Sequence, residues 1–180
     1  MTHLRVATFP SPIGSLSLAV GVEGLVRLDL DGDRDRMARD LERRFGGATL
    51  AEEEDPDGVV EAMRRYFDGD CAALDTVRVD PGGTPFQHAV WLTLRRIPPG
   101  RTWSYAALAA AVGRPDAVRA VGAANGANPV PLVLPCHRVI GSDGRLVGYG
   151  GGLGRKEWLL RHERARFVVD RQERLPLAPG

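Results

Sequence analysis

The sequence predicts a mixed α+β fold, with a small N-terminal α/β lobe followed by a mainly helical second half. The first 30 residues contain short, partly alternating apolar runs separated by turn residues, which is typical of a sheet. From residue 84 onward, apolar residues recur at helical spacing instead. Between these regions lies Asp80-Pro81-Gly82-Gly83, a run of turn formers. We therefore predict one domain over residues 1–83, a second over residues 84–164, and a C-terminal tail over residues 165–180.

The N-terminal lobe is predicted to contain strands first and helices later. Turn residues at Pro10–Gly14 and Gly21–Gly24 divide the first apolar runs. Met37, Leu41 and Phe45 share one face at helical spacing. The predicted elements are strands Leu4–Phe9, Ser15–Val20 and Leu25–Leu30, a helix Arg34–Phe45, an acidic loop Ala51–Asp57, a helix Gly58–Phe67 and a further strand Leu74–Val79.

The second half has recognisable helix starts. Thr84 can cap a helix with Pro85 at its first position, and Ser104 and Asp116 can cap two more. Two short helices joined by the tight turn Gly113–Pro115 match a helix-turn-helix, although helical hairpins are common in proteins that never touch DNA. The predicted elements are a helix through Phe86, Val90 and Leu94, helices Tyr105–Val112 and Ala117 to about Ala124, an extended segment Asn128–Pro135, a glycine-rich loop Gly148–Gly154 and a helix Arg155–Glu163.

Composition excludes several classes of protein. A hydrophobic fraction of 43% with 26% charged residues is that of an ordinary globular chain, and no apolar run approaches the roughly 20 residues that span a membrane. The N-terminal stretch MTHLRVATFP lacks the apolar core and cleavage site of a secretory signal. We therefore expect a cytoplasmic protein that does not contact the membrane.

The two cysteines, Cys71 and Cys136, are expected to be free thiols, because disulfides are rare in the cytosol. No CxxC or HxxxH spacing is present, so we expect neither a metal site nor a cofactor. Cys71 follows Asp70 in a turn-like stretch, and we interpret it as structural or incidental.

The net charge of +1 conceals an asymmetry along the chain. Residues 1–83 carry 10 Arg and 17 Asp or Glu, a net of −7, whereas residues 84–164 carry 11 Lys or Arg and 4 Asp or Glu, a net of +7. A basic half attached to an acidic half suggests that one half binds a polyanion such as nucleic acid. The alternative is that solvated charges merely segregate between two lobes.

Cys136 and His137 are the first candidates for chemistry. A cysteine beside a histidine suggests a thiolate nucleophile and its base. Side chains of adjacent residues point in different directions, so His137 would act on Cys136 more easily through a water molecule, with a third group orienting the imidazole. The dipeptide alone also fits a buried, inert cysteine beside a surface histidine.

A longer pattern surrounds this dipeptide and favours the reactive interpretation. Asn128-Pro129-Val130-Pro131 and then Pro135-Cys136-His137-Arg138-Val139 resemble the active-site signature of the O6-alkylguanine-DNA alkyltransferases, the methylated-DNA–protein-cysteine methyltransferases. The resemblance covers roughly residues 84–164. Its other parts are Phe86-Gln87, Val90-Trp91, Ile97-Pro98, Gly100, Ser104-Tyr105, Arg119-Ala120-Val121-Gly122, Gly148-Tyr149-Gly150-Gly151-Gly152, Lys156-Glu157-Trp158-Leu159-Leu160 and Glu163.

This resemblance implies a fold and a reaction. Residues 1–83 would form a ribonuclease-H-like lobe ahead of the catalytic half. The reaction would be the irreversible transfer of an alkyl group from O6-alkylguanine, and also O4-alkylthymine, in double-stranded DNA onto a cysteine. Because the product thioether is not hydrolysed, each molecule would act once.

Five residues carry the catalytic roles that the resemblance implies. Cys136 would accept the alkyl group, and His137 would take the thiol proton through a water. Glu163 would orient the histidine. Asn128 would act as a hinge that ties the helix-turn-helix to the active-site segment 128–140. Tyr105 would push on the phosphate of the target nucleotide and donate to guanine N3, which stabilises the departing purine.

The DNA contacts implied by the resemblance lie in the helix-turn-helix at about residues 104–124. Its second helix would enter the minor groove, about 6 Å wide, which suits small side chains. The flipped nucleotide would leave a gap that Arg119 fills with its planar guanidinium. A tightly packed core helix would explain the alanines equally well. The remaining expected DNA-contact residues are Ser104, Ala120, Gly122 and Ala123.

The resemblance also implies a pocket for the flipped base. Tyr149, Gly150 and Gly151 would form its wall, and Val139 would line its floor. Some relatives carry serine where this chain has Gly150, so we predict a roomier or more mobile pocket here. Pro131 and Asn125 complete the expected lining.

Other functions remain open from the sequence. A non-enzymatic lesion sensor shares the expected fold but replaces the acceptor cysteine. A Cys-His-Glu hydrolase unrelated to DNA is disfavoured by the charge asymmetry and by the pair Tyr105 and Arg119. A transcriptional regulator would need a cysteine-rich segment that is missing ahead of residue 84. No protein partner is expected to be required, and cooperative clustering on DNA is left open.

Overall fold

A computed structural model describes residues 2–169 and contains a four-stranded sheet followed by a mainly helical half. The sheet order is β3-β2-β1-β4; β1 pairs in parallel with β4, and the other neighbours are antiparallel. The strands are β1 (His3–Ser11), β2 (Gly14–Val20), β3 (Leu25–Asp29) and β4 (Thr49–Glu52), with two short parallel strands, β5 (Trp103–Ser104) and β6 (Val139–Ile140), in the second half.

Six α-helices lie within the described residues. Asp33 caps α1 through its side chain, and Thr84 forms a capping box with Gln87 at the start of α3, with Pro85 at the first helical position. The helices are α1 (Arg34–Phe45), α2 (Val59–Phe67), α3 (Pro85–Leu94), α4 (Tyr105–Ala111), α5 (Val118–Gly126) and α6 (Leu153–His162). None of them is both long and apolar enough to cross a bilayer.

The alternation of side chains in the sheet separates two apolar clusters. Leu4 and Val6 of β1 pack with Met37 and Leu41 of α1 on one face. The opposite face contributes to a larger cluster that continues through α2 into the second half of the chain, and this cluster includes Leu16, Leu28, Met63, Tyr66, Val90, Leu94 and Leu159. The two halves of the chain therefore share one core.

The linker at residues 80–83 packs closely against the second half. Gly83 has a φ of +81°, and a Cβ there would lie 2.5 Å from a ring carbon of Trp91. The Nε1 of Trp91 in turn donates to the carbonyl of Ala124 at 2.7 Å. The backbone N–H of Leu28 donates to the carbonyl of Pro129 at 2.9 Å, so β3 is bonded directly to the segment that precedes Cys136.

Several sequence predictions of local structure are confirmed, and others are wrong. The first three strands, α1 and α2 are found where they were expected. The predicted acidic loop Ala51–Asp57 begins inside β4, which pairs its backbone with β1 although all four of its side chains are exposed. A short edge strand whose side chains are all exposed lacks the apolar alternation that identifies a strand.

The first half of the predicted strand Leu74–Val79 belongs to a 3-10 turn over Ala73–Thr76. Leu74 in this turn and Val77 directly after it are buried, so their apolar character reflects burial and not strand pairing. Residues 78 and 80 bond to the backbone of Leu25, which leaves a single bridge at Val79.

The region before Cys136 also differs from its prediction. Asn128–Pro135 folds as a compact turn and is not extended, and Leu132 has a φ of +71°. Asp116 does not cap α5, whose N-cap residue is Ala117 without a side-chain bond. Of the predicted tail, Val168 bridges to Arg145, and residues 170–180 lie outside the described residues.

Candidate active site

Asn128 builds the turn that presents Cys136. Its Nδ2 donates to the carbonyl of Leu134 at 2.7 Å, and its Oδ1 accepts from the backbone N–H of Val130 at 2.9 Å. Asn128 lies two residues after the end of α5, at the start of the active-site segment. A single 3-10 turn, Cys136–Arg138, then follows Pro135.

The thiol of Cys136 faces a cavity of about 500 Å³. The residue is 6% exposed. Burial raises the pKa of the Cys136 thiol, and a bond from Asn128 and the positive charge of Lys156 partly oppose that effect. The thiol is therefore protonated at neutral pH and needs a base to become a nucleophile.

His137 is fully buried and is held by Glu163. Its Nε2 lies 2.9 Å from Oε1 of Glu163. Burial alone would raise the pKa of Glu163, but His137 and Arg138 hold it well below its usual range. An ionised carboxylate only accepts, so Nε2 of His137 carries the proton. The Nδ1 of His137 is then a free acceptor, and it is buried without a hydrogen-bond partner among the residues that the structure describes.

The protonation state of His137 suits a base. Burial lowers its pKa, and the nearby charges of Arg138 and Lys156 act in the same direction against the opposing effect of Glu163. The imidazole is therefore neutral at neutral pH. A buried acceptor without a partner is costly unless a water or a reacting group uses it. This arrangement can take a proton from a neighbouring thiol.

Glu163 has more partners than the sequence indicated. Arg138 donates from Nε to Oε2 at 2.9 Å and from Nη2 to Oε1 at 2.8 Å, a bidentate pair. Tyr66 of α2 donates its hydroxyl to Oε1 at 2.8 Å. The sequence motif contains Arg138 but does not indicate its bond to Glu163, and nothing in the sequence indicates Tyr66, because contacts between distant parts of the chain leave no sequence signal.

Lys156 is a further buried residue that was not assigned a role. Its Nζ donates to the carbonyls of Val139 at 2.6 Å, Val147 at 3.1 Å and Gly148 at 3.2 Å. Burial lowers the pKa of Lys156 to about 8. The ammonium thus fixes the start of the glycine-rich loop against β6 and places a positive charge near Cys136.

The cavity wall combines both halves of the chain. Most of the residues predicted to form the pocket line it, and Gly122, predicted as a DNA contact, lies on it as well. The N-terminal lobe adds residues 27–31 at the end of β3 and Arg36 of α1, none of which was predicted. The predicted residues on the wall are Cys136, Asn128, Tyr105, Asn125, Pro131, Tyr149, Gly150, Gly151 and Gly122.

Val139 does not line the cavity, contrary to the prediction. It is fully buried in β6, and its carbonyl already accepts from Lys156. Residues 2–169 hold no group of three or more His, Cys, Asp or Glu side chains placed to share a metal ion.

Comparison with known proteins identifies the family. The methylated-DNA–protein-cysteine methyltransferase of Salmonella typhimurium is 45% identical over 166 residues, which cover 91% of this chain and 97% of that protein. The Mycobacterium tuberculosis protein of the same name is 42% identical over 94% of this chain and 97% of its own length. The chain belongs to the methylated-DNA–protein-cysteine methyltransferase family. Residues 85–165 match the family described as 6-O-methylguanine DNA methyltransferase, DNA binding domain.

Solved structures of methylated-DNA–protein-cysteine methyltransferases share this fold. Mycobacterium tuberculosis OGT in complex with DNA superposes with a TM-score of 0.74 at 41% identity, over 90% of this chain and 92% of that chain. The O6-methylguanine-DNA methyltransferase of Pyrococcus kodakaraensis gives a TM-score of 0.66 at 27% identity, over 89% and 98% of the two chains.

Within this methyltransferase fold, the helices α4 and α5 present a surface of small side chains. Ser104 caps α4 by accepting from the backbone N–H of Ala107 at 3.1 Å. Arg119, Ala120 and Ala123 on α5 are exposed. Gly122 faces Tyr105, since a Cβ there would lie 3.6 Å from the tyrosine ring. The predicted DNA-contact residues thus lie on one helix pair beside the cavity.

The two tyrosines of the cavity differ in their hydrogen bonds. The hydroxyl of Tyr105 donates to the carbonyl of Val147 at 3.1 Å. The hydroxyl of Tyr149 is buried and has no partner within the described part of the chain. Burial raises the pKa of both groups, so both stay protonated and can donate.

Proposed function

We propose that this chain repairs O6-alkylguanine in duplex DNA by transferring the alkyl group irreversibly to Sγ of Cys136, once per molecule. The observation that carries the proposal is the buried Nδ1 of His137, which has no partner among residues 2–169. Glu163 holds the other ring nitrogen, and the adjacent Cys136 opens into the cavity. The names of the relatives support the same chemistry. O4-alkylthymine is proposed as a second substrate.

The reaction begins with a proton transfer. The Cys136 thiol gives its proton through a water to Nδ1 of His137, and Glu163 stabilises the imidazolium that forms. The thiolate then attacks the alkyl carbon, a C–S bond forms, and the C–O6 bond breaks with its electron pair left on guanine. A thioether is not hydrolysed by water, so the thiol is not regenerated. No cofactor enters these steps.

The departing guanine needs a hydrogen-bond donor. Tyr105 lies on the cavity wall and remains protonated, so its hydroxyl can donate to guanine N3 as negative charge develops. To do so, the hydroxyl must give up its hydrogen bond to the carbonyl of Val147 and donate to the base instead. Tyr149, whose buried hydroxyl has no partner in the described part of the chain, and the loop at Gly150 and Gly151 would enclose the same base.

Access to the base requires that the nucleotide leave the helix. A stacked guanine cannot bring its O6 substituent to the thiol of a residue that is only 6% exposed, and we therefore propose base flipping. The helix pair α4 and α5 would act as a helix-turn-helix in the minor groove, with Arg119 filling the gap. Residues 84–164 would be the DNA-binding and acceptor domain, and residues 1–83 an α/β domain of the ribonuclease-H-like kind. The proposed compartment is the cytoplasm, where Cys136 stays reduced.

Intact-mass measurement tests this function. The protein is incubated with a duplex that contains one O6-methylguanine, and its mass is expected to rise by one methylene. Cys136→Ala should abolish the gain, whereas the matched control Cys71→Ala should retain it. Repaired DNA with unmodified protein would instead indicate a turnover enzyme, and tight binding without repair would indicate a lesion sensor; either result overturns the proposal.

A further inference from the structure

Tyr66 connects the N-terminal lobe to the catalytic carboxylate across 97 positions of sequence. Its side chain is fully buried, and its hydroxyl donates to Oε1 of Glu163 at 2.8 Å. Its backbone carbonyl accepts from Nε2 of His162 at 2.7 Å, and the two rings pack edge to face at 5.1 Å. The position of the hydroxyl is therefore fixed from both sides.

The oxygen that Tyr66 contacts is the one that holds His137. Oε1 of Glu163 accepts from Nε2 of His137, from Nη2 of Arg138 and from the hydroxyl of Tyr66, whereas Oε2 accepts only from Arg138 among the described residues. Each donor stabilises the negative charge of the carboxylate, and donors that share one oxygen compete for that charge. The strength with which Glu163 stabilises a proton on His137 thus depends on Tyr66.

The hydroxyl, and not the ring, is the informative part of this residue. A phenylalanine ring at position 66 would fill the same apolar space. The neighbouring residue, Phe67, is such a ring and packs against Trp158. A buried hydroxyl is unfavourable unless it is hydrogen-bonded. Burial first, and then the charge of Glu163, raise the pKa of Tyr66 far above its usual value, so the group always donates.

We propose that Tyr66 is a positioning residue of the alkyl transfer, which fixes Glu163 and sets the basicity of His137 from the N-terminal lobe. The inference rests on the proposed function. The groups that face His137 are Cys136, Arg138 and Lys156 in addition to Glu163, and those near Tyr66 include Cys71. Among the described groups that bond to Glu163, Tyr66 is the one contributed by α2.

The test is the pH dependence of single-turnover transfer to Cys136 from free O6-benzylguanine, followed by intact mass. In Tyr66→Phe, the carboxylate of Glu163 loses one hydrogen-bond donor and stabilises the imidazolium of His137 more strongly. The imidazole therefore stays protonated to a higher pH. The acidic limb of the pH–rate profile should move to higher pH by roughly half a pH unit to one pH unit. Ser17→Ala is the matched control, because it removes a buried hydroxyl bonded to Thr8 in the sheet, away from Glu163.

Each outcome decides the inference. A shift in Tyr66→Phe but not in Ser17→Ala supports it, whereas superimposable profiles, or equal shifts in both variants, overturn it. Should Tyr66→Phe not fold, site-specific 2,3-difluorotyrosine at position 66 strengthens the donated bond. The acidic limb should then move to lower pH, and an unchanged position of this limb overturns the inference. Absence of any transfer in the wild-type protein would instead overturn the proposed function itself.

Discussion

The Nε2 atom of His137 lies 2.9 Å from Oε1 of Glu163, and both side chains are inaccessible to solvent. Because the carboxylate can only accept, this contact fixes the imidazole with its proton on Nε2 and leaves Nδ1 as the acceptor. The reactivity proposed for Cys136 depends on this tautomer.

Glu163→Gln should therefore slow alkyl transfer. An amide can donate to Nε2 and stabilise the wrong tautomer, and we expect a loss within the range of about 10²–10⁴ that a general base contributes. The free energy of unfolding should also fall, by about 3–5 kcal/mol, because Arg138 loses its buried partner. Single-turnover rates and urea unfolding measure the two effects.

The matched control for this variant is Glu157→Gln on α6, the helix that Glu163 follows directly. Glu157 pairs with exposed Arg161 at 2.8 Å, and an exposed pair contributes about 0–1 kcal/mol. Its rate should equal that of the wild type. Equal transfer rates and equal free energies of unfolding in the two variants would contradict the proposal that Glu163 orients His137.

His137 should make stability depend on pH. Burial lowers its pKa in the folded chain, so below about pH 6.5 the unfolded chain binds a proton at this residue before the folded chain does. The free energy of unfolding should then decrease as the pH falls from about 7 to 5. In His137→Gln this slope should be shallower, as measured by urea unfolding at several pH values.

The exposed residue His88 provides the comparison for the pH experiment. His88→Gln should retain the wild-type slope. A slope in His137→Gln as steep as that of the wild type would show that His137 is not the titrating group.

Two neighbouring glycines should respond differently to a side chain. A Cβ on Gly150 meets nothing within 4 Å, whereas a Cβ on Gly151 would lie 2.7 Å from Cδ1 of Leu30. Gly150→Ser should fold normally and narrow the pocket, which lowers the rate with O6-benzylguanine relative to O6-methylguanine. Gly151→Ser should lower the melting temperature, because the loop must move away from the N-terminal lobe.

Differential scanning fluorimetry and the ratio of the two transfer rates check these glycine variants. An unchanged ratio in Gly150→Ser would contradict the idea that this glycine widens the pocket. A melting temperature for Gly151→Ser equal to that of Gly150→Ser would contradict the close packing against Leu30.

Arg119 should matter only when a nucleotide has to leave duplex DNA. It is exposed on α5 and lies outside the cavity wall. Arg119→Ala should slow repair of O6-methylguanine in a duplex much more than reaction with free O6-benzylguanine, because only the duplex requires flipping. Arg119→Lys keeps the charge but loses the planar group, and it should recover only part of the rate. Equal losses on both substrates would refute this role.

The sequence by itself determined the elements with strong local signals. Alternating strands at the N-terminus, the capping box at Thr84 and the helices α1 and α2 follow from periodicity and capping, which depend on neighbouring residues alone. The motif around Cys136 and its flanks was enough to indicate the family and the acceptor residue.

Only the tertiary structure decided the contacts that make the site. The bonds of Tyr66 and Arg138 to Glu163, the three carbonyls held by Lys156 and the contribution of β3 to the cavity all join residues that are distant in sequence. The turn over residues 128–135 was also missed, because the side chain of Asn128 replaces the backbone pairing of an extended segment. Such contacts arise when the shared core brings the two halves together, and a linear pattern does not encode them.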